Sequence, residues 1–361
     1  MPHHRRLRCA FTLIEVLVVI GIISMLMSIL LPVLSKARAA ASNVKCLANL
    51  RNIGQAMLLY ASDNRDAIIG SANTTGRRLW STDAAGDFVG DLYSPTNLPP
   101  GSPIELYDWM GPAARTLGID LPDTTDGNVL LRRYREIPDF ECPDAQGILA
   151  STYAGTIDAG QMLSYNTAAA FMLLPYNRQG SGFTGKVKAN DYSTGYWVLP
   201  LGYFPKINRV GNTSEKIFCA DGAKYSTCYD PNVPSVSYQY VDNNHQMNNF
   251  ADYGAFFGNT KSYCRFAANG GTSLQDARIF SYRHGTRTPG GGAGAYRLNA
   301  VFFDGHAESL DDKQASNPDL WLPRGTTLAD PSDNIQLTTR PFFWQDVQAW
   351  YHPGGGPYTA P

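Results

Sequence analysis

A chain of 361 residues with 43% apolar and 17% charged residues can bury a sizeable core, which excludes a purely disordered tail. Its formal net charge of −1 leaves no electrostatic footprint for nucleic acid. The 34 glycines, 23 prolines and 20 tyrosines point to a loop-rich β domain, with short strands punctuated by turns and aromatic side chains on half-buried pleated surfaces.

Residues 1–10 carry Arg5, Arg6 and Arg8 with His3 and His4, and no acid. The apolar run F-T-L-I-E-V-L-V-V-I-G-I-I-S-M-L-M-S-I-L-L-P-V-L follows over residues 11–34. About 24 residues of helix reach roughly 36 Å, enough to cross a hydrocarbon core of ~30 Å. Basic flanks stay cytoplasmic, which places everything after Leu34 on the outer side of the membrane. One carboxylate, Glu15, lies inside this run. At membrane depth it costs about 2.5 to 3.5 kcal/mol and calls for a partner; a free amine at Phe11 would be one. That amine exists only if the chain is cut between Ala10 and Phe11. The small residue Ala10 precedes the apolar run, whereas an ordinary secretory signal is cut after it. Cys9 also precedes the run, the wrong side for a lipoprotein anchor.

On Ala10, on Phe11-Thr12-Leu13-Ile14-Glu15 and on the apolar helix with Pro32 near its end, the chain resembles the type IV pilins and type II secretion pseudopilins. Ala10 stands where that class usually has Gly. The resemblance implies cleavage by a prepilin peptidase, N-methylation of Phe11, and Glu15 meeting a neighbouring subunit's N-terminus in a helical filament. It also implies as partners homologous subunits, the lipid bilayer and an inner-membrane assembly machinery with an ATPase.

Through residues 35–66 the helical pattern becomes one-sided. Val44, Leu47, Leu50, Ile53, Met57, Leu58 and Ala61 recur at three- and four-residue steps, with Lys36, Arg38, Lys45 and Arg51 largely elsewhere. One continuous helix, first in lipid and then on a sheet, is expected, with a kink or loosened turn at Pro32 and an end among the turn formers Ser62, Asp63, Asn64, Arg65 and Asp66. The stretch C-L-A-N-L-R-N-I-G-Q-A from Cys46, with Asn49 inside it, is similar to prepilin-type proteins of planctomycetes and their relatives. In the same order, Asp108-Trp109-Met110-Gly111, Phe140-Glu141-Cys142-Pro143-Asp144, Arg283-His284 and Phe303-Asp304-Gly305-His306 resemble that group's later motifs. Nineteen residues separate His284 from Asp304, more than in the resembled group, and the Gly-rich residues 289–294 read as an inserted loop.

Residues 67–143 have poor periodicity and read as loops around Trp80, Tyr93 and Trp109, with short helices over 111–117 and 130–135. Strands are expected over 200–203, 216–220 and 235–241. Two apolar runs end in Asp-Gly, at Asp221-Gly222 and Asp304-Gly305, and both read as tight turns because Gly accepts positive φ. For the second, a hairpin is expected with residues 299–303 paired to 306–310. His284 donating to Asp304 across that hairpin is the structural reading. His284, Asp304 and His306 as a metal set is the alternative, and would suit a membrane-anchored binding or hydrolytic ectodomain.

Of six cysteines, Cys9 would leave with the leader. Cys219 and Cys228 are close enough for a local bridge, and Cys46 and Cys142 for one tying the helix to the loop layer, which would leave Cys264 free. The absence of any C-x-x-C pair disfavours zinc ribbons and thioredoxin-like redox chemistry. Trp321, Trp344 and Trp350 near the C-terminus suit core packing, with a sugar-binding platform as the functional alternative. No G-x-S-x-G, P-loop, H-E-x-x-H or dinucleotide fingerprint is present, so neither an enzyme nor a cofactor is expected. The expected fold is α+β and pilin-like, a long N-terminal helix packed on an antiparallel sheet with long loops. Its parts are a leader (1–10), a membrane half (11–34) and an amphipathic half (35–66) of the helix, an ectodomain (67–350) and a flexible tail (351–361). The ectodomain would lie in the periplasm, or outside the cell once in a filament.

Overall fold

The computed structural model describes residues 12–71, 81–82, 88–89, 108–124, 127–145, 148–150, 163–172, 186–188, 196–200, 202–222, 226–228, 251–252, 261–262, 280–285, 296–328, 349–354 and 358–361. The leader with Ala10 and Phe11, the strand expected over 235–241, the Gly-rich loop, Trp80, Trp344 and Cys264 lie outside the described residues.

Helix α1, Leu13–Asp63, is 51 residues long and runs through Pro32. It opens on a capping box: Thr12 Oγ1 accepts from the Glu15 amide, and the Thr12 amide donates to Glu15, which satisfies two amides that the first turn leaves unpaired. Beyond Asp63 the chain reverses through Arg65 and Asp66, both in the left-handed region. The first half of α1 is exposed at every described residue up to Arg38. The second half buries Cys46, Asn49, Leu50, Ile53, Gly54, Ala56, Met57 and Ala61, a stripe at helical spacing. Val44, expected on that stripe, is 65% exposed. The buried face is turned toward Cys46 and Asn49, because a disulfide and hydrogen bonds rather than apolar packing dock this part of the helix.

That face packs on a sheet of six strands: β1 Tyr165–Ala168, β2 Ile217–Asp221, β3 Ala251–Asp252, β4 His284–Gly285, β5 Tyr296–Phe302 and β6 Ala307–Asp311. The order is β4-β5-β2-β1-β3, with β6 also on β5. All pairs are antiparallel except β1 with β3. The fold is thus the α+β class expected, a long helix on a largely antiparallel sheet. Arg297 faces His284 on one side and Asp311 on the other, and Ala300 faces Ala220 and Glu308. Strands β4 and β2 therefore lie end to end along one edge of β5. This register places His284 beside Asp221.

The helix approaches the sheet closely at Gly54. A β-carbon there would come within 2.6 Å of Val301 Cγ2 and 3.3 Å of the Gly305 backbone. Gly54→Ala is expected to destabilise the protein by about 1–3 kcal/mol, the usual cost of overpacking a tight interface, although alanine is the better helix former. Thermal unfolding of the full chain in detergent checks the sign.

The β5–β6 hairpin forms with Asn299 opposite Ser309, one residue away from the expected pairing. Its turn is closed by the Phe302 amide donating to His306 O and the Gly305 amide donating to Phe302 O, with Gly305 at φ +89°. The other Asp-Gly pair does not form a hairpin turn. Asp221 ends β2 fully buried, and the Gly222 amide donates to Ser164 O at 2.8 Å. Where a strand is expected over 200–203, the described Pro200, Gly202 and Tyr203 belong to a turn, with the Tyr203 amide on Pro200 O and Gly202 at φ +81°. Helices α2 (Met110–Thr116) and α3 (Gly127–Arg135) fall close to the expected positions. The C-terminal end, expected to be a loose tail, is docked. Tyr358–Thr359 pairs with Thr327–Leu328, and Tyr358 and Ala360 are buried. Trp321 is fully buried and its indole donates to Ala315 O, a core position rather than a platform.

Candidate functional site

Among the described residues, Cys46, Cys142, Asp221 and His284 gather where α1 meets the sheet. Cys46, on the buried face of α1, is joined by a disulfide to Cys142, 96 residues on. The same turn of the helix is fastened by Asn49, whose side-chain amide donates to Pro138 O at 3.0 Å and Glu141 O at 2.8 Å. Asn52 adds a bond to Asp139. The Cys-Pro-Asp segment is thus clamped to α1 by covalent and polar links together.

His284 packs against this disulfide, its Nε2 being 3.9 Å from Cys142 Sγ. Two carboxylates flank its ring. Asp144 Oδ2 faces Nδ1 at 3.0 Å and Asp221 Oδ2 faces Nε2 at 3.2 Å. Asp221 also accepts the Asn299 amide at 2.8 Å and lies 3.9 Å from the Arg283 guanidinium. Arg283, fully buried, donates to Ser164 O at 2.6 Å and to Gly222 O. The arrangement is a compact set of charges in the core, its ionic groups facing opposite charges as burial requires.

Burial pulls the His284 imidazole down, but the Asp221 and Asp144 carboxylates together outweigh it and hold the ring above its ordinary value. A pKa raised by folding contributes stability that is complete below the unfolded value, about 6.5, and is lost as pH rises through the folded value. The disulfide-bonded protein is therefore expected to lose stability as pH rises above about 6.5, and His284→Gln to flatten that fall. Urea unfolding at constant ionic strength measures it; a wild-type stability rising with pH across this range would contradict the charge assignment.

The expected pairing of His284 with Asp304 is not made. Asp304 binds its own turn instead, accepting the His306 amide at 3.0 Å and facing His306 Nδ1 at 2.6 Å. His306 is exposed and stacks on Phe302. His284, Asp304 and His306 therefore do not assemble as a metal set, since the first lies buried at the sheet edge while the others sit on the solvent side of the hairpin tip. The Cys219–Cys228 bridge is not formed either: Cys219 is a free, buried thiol. Burial, reinforced by Asp221, holds that thiol well above its ordinary range, so it stays protonated and inert. Sequence reasoning missed Asp221 and Asp144. The available signal was Asp144 adjoining Cys142-Pro143; Asp221 was hidden by an Asp-Gly pair that reads as a turn.

At the other end of the molecule the first half of α1 forms a separate surface. It is long and apolar enough to cross a membrane and none of that stretch is buried. Glu15 is the acid of its first turn. Its carboxylate takes both the Thr12 amide at 2.8 Å and the Thr12 hydroxyl at 2.9 Å. Residues 5–31 match the prokaryotic N-terminal methylation motif. The methylation motif covers Ala10, Phe11 and Glu15 and stops just short of Pro32. It supports a type IV pilin-like or pseudopilin-like subunit, suggests a structural role, and implies assembly with other pilin subunits. With the apolar helix, the methylation motif fits a membrane-anchored, single-pass protein. No curated protein and no solved structure matches the chain.

Proposed function

We propose that the chain is a pilin-like or pseudopilin-like filament subunit of a type II secretion or type IV pilus-like system. A prepilin peptidase cuts it between Ala10 and Phe11 and Phe11 is N-methylated. The subunit waits in the inner membrane as a single-pass protein with its ectodomain in the periplasm. An assembly machinery with an ATPase then draws it into a periplasmic or extracellular filament. Glu15 meets the N-terminal amine of a neighbour there, and Pro32 loosens the helix where it leaves the lipid.

The observation that carries this reading is the division of α1. Its second half is spent on the ectodomain core, while residues 12–38 are exposed throughout. An unbroken apolar helix surface of this length is stable only when covered by lipid or by like helices. Filament assembly exchanges one cover for the other without disturbing the ectodomain. The same division supports separating the helix, which ends at Asp63, from an ectodomain.

The test is the mass of the N-terminal peptide of the protein isolated from its native membrane. A peptide beginning at N-methylated Phe11 is expected. An intact Met1, or a start beyond Leu34, would remove the basis for filament entry.

A further inference from the structure

We propose that Cys46, Cys142, Asp221 and His284 form a tetrahedral site for Zn2+, or a divalent cation of similar softness, occupied when the Cys46–Cys142 disulfide is reduced. One ligand atom from each of the four lies within 4.8 Å of every other, and all four residues are at most 3% exposed. Two thiolates, an imidazole and a carboxylate are a zinc ligand set. Around a tetrahedral zinc with bonds of about 2.0 to 2.3 Å, ligand atoms stand about 3.3 to 3.8 Å apart. His284 Nε2 is already 3.2 Å from Asp221 Oδ2 and 3.9 Å from Cys142 Sγ. The two sulfurs have to part and the remaining ligand atoms, within 4.8 Å of one another, to draw in to these spacings, and side-chain torsions supply that movement once the sulfurs are no longer bonded.

The surroundings are those of a metal site rather than of a disulfide alone. A disulfide needs no polar neighbours, and burying an imidazole with two carboxylates beside one is costly. Here each has an orienting role. Asp144 on His284 Nδ1, at 3.0 Å, turns the other ring nitrogen toward the ligand set, the arrangement that fixes a ligating histidine. The Asn299 amide holds the Asp221 carboxylate, and Arg283, 3.9 Å from it, offsets the surplus negative charge. The ligands come from α1, from the segment before the Pro143–Ala145 turn, from β2 and from β4. The metal would thus tie α1 to the sheet in the reduced chain, as the disulfide ties it to the Cys-Pro-Asp segment in the oxidised one.

The two states interconvert with balanced chemistry. A dithiol reductant gives up two electrons and two protons and becomes a disulfide, while the Cys46–Cys142 bond breaks into two thiols. The cation then takes both sulfurs as thiolates. Their protons, and any proton carried by the imidazole, leave to solvent.

The test uses the full-length chain in detergent, reduced anaerobically with a phosphine and titrated with Co2+. One Co2+ per chain is expected, with thiolate-to-cobalt charge-transfer absorption that Zn2+ abolishes and that the disulfide-bonded chain never shows. Replacing Cys9, Cys219, Cys228 and Cys264 together by Ala should leave the signal intact. His284→Ala should weaken binding at least tenfold, and Asp144→Asn about 10- to 100-fold, as for other outer-shell carboxylates. Absence of the absorption, or equal affinity in His284→Ala, would overturn the site. So would a reduced chain that loses its near-ultraviolet circular dichroism and does not regain it with Co2+. None of these outcomes depends on N-terminal processing.

Discussion

Asp221→Ala is expected to cost about 3–5 kcal/mol of folding stability, the range for breaking one partner out of a buried ion pair. The carboxylate is fully buried and serves three groups from two places in the chain: the His284 ring at 3.2 Å and the neighbouring Arg283 guanidinium at 3.9 Å, and the Asn299 amide at 2.8 Å. Its removal takes this carboxylate from a buried guanidinium that also donates to the carbonyls of Ser164 and Gly222. It also leaves an imidazolium with Asp144 alone, and an amide without this acceptor. Each unsatisfied donor adds about 1–3 kcal/mol, and relaxation of the sheet edge absorbs part of the sum. Asp221→Asn keeps an acceptor for Asn299 while losing the charge, so it should fall between Ala and wild type. Urea unfolding of the full chain, followed by the fluorescence of buried Trp109 and Trp321, distinguishes these cases. A loss under about 1 kcal/mol for Asp221→Ala would contradict this account, because the guanidinium and the Asn299 amide would then have lost a buried partner at no visible cost.

The importance of Asp221 was not legible in the sequence, and the reason is specific. An acid followed by glycine after an apolar run is a turn signal, and Asp304-Gly305 obeys it. Asp221-Gly222 has the same letters but ends a strand that is paired on both edges. Its glycine is required by a close approach, since a β-carbon on Gly222 would meet the Asn166 side chain within 3.0 Å, not by a turn. His284 was assigned to Asp304, its companion in the resembled motif, whereas strand order decides its partner by laying β4 and β2 along one edge of β5. Strand order is a long-range property that local pattern does not carry. The long helix, by contrast, was legible because an apolar run of membrane-spanning length passes directly into a one-sided helical period. Its exact buried face was less so, since Asn49 and Gly54 lie on it for hydrogen bonding and close approach, and a count of apolar residues passes over both. The N-terminal motif was the most readable part of all, because charge, small residue, carboxylate and apolar run occur in one short local order.

Converting both Cys46 and Cys142 to Ala is expected to lower stability by about 4–5 kcal/mol in the metal-free protein. Cross-linking residues 96 apart restricts the unfolded chain, and loop-closure entropy puts a bridge over about 100 residues near 4.7 kcal/mol. The native fold should survive, because α1 remains fastened by Asn49 to Pro138 O and Glu141 O and by the packing of Leu50, Ile53 and Met57. Near-ultraviolet circular dichroism should therefore be unchanged while the urea midpoint falls. Asn49→Ala provides the discriminating comparison. It acts on the folded state by taking a donor from Glu141 O and from Pro138 O, the latter keeping the Glu141 amide, at about 1–3 kcal/mol, whereas the disulfide acts mainly on the unfolded one. If the two links operate on different states, the triple variant should lose the sum of the separate losses to within about 0.5 kcal/mol, even though Cys46 and Asn49 are one helical turn apart and neighbours usually couple. A larger loss would show that the Cys-Pro-Asp segment leaves α1 once the bridge is gone. The disulfide would then be holding the native docking of the helix, not only limiting the unfolded chain.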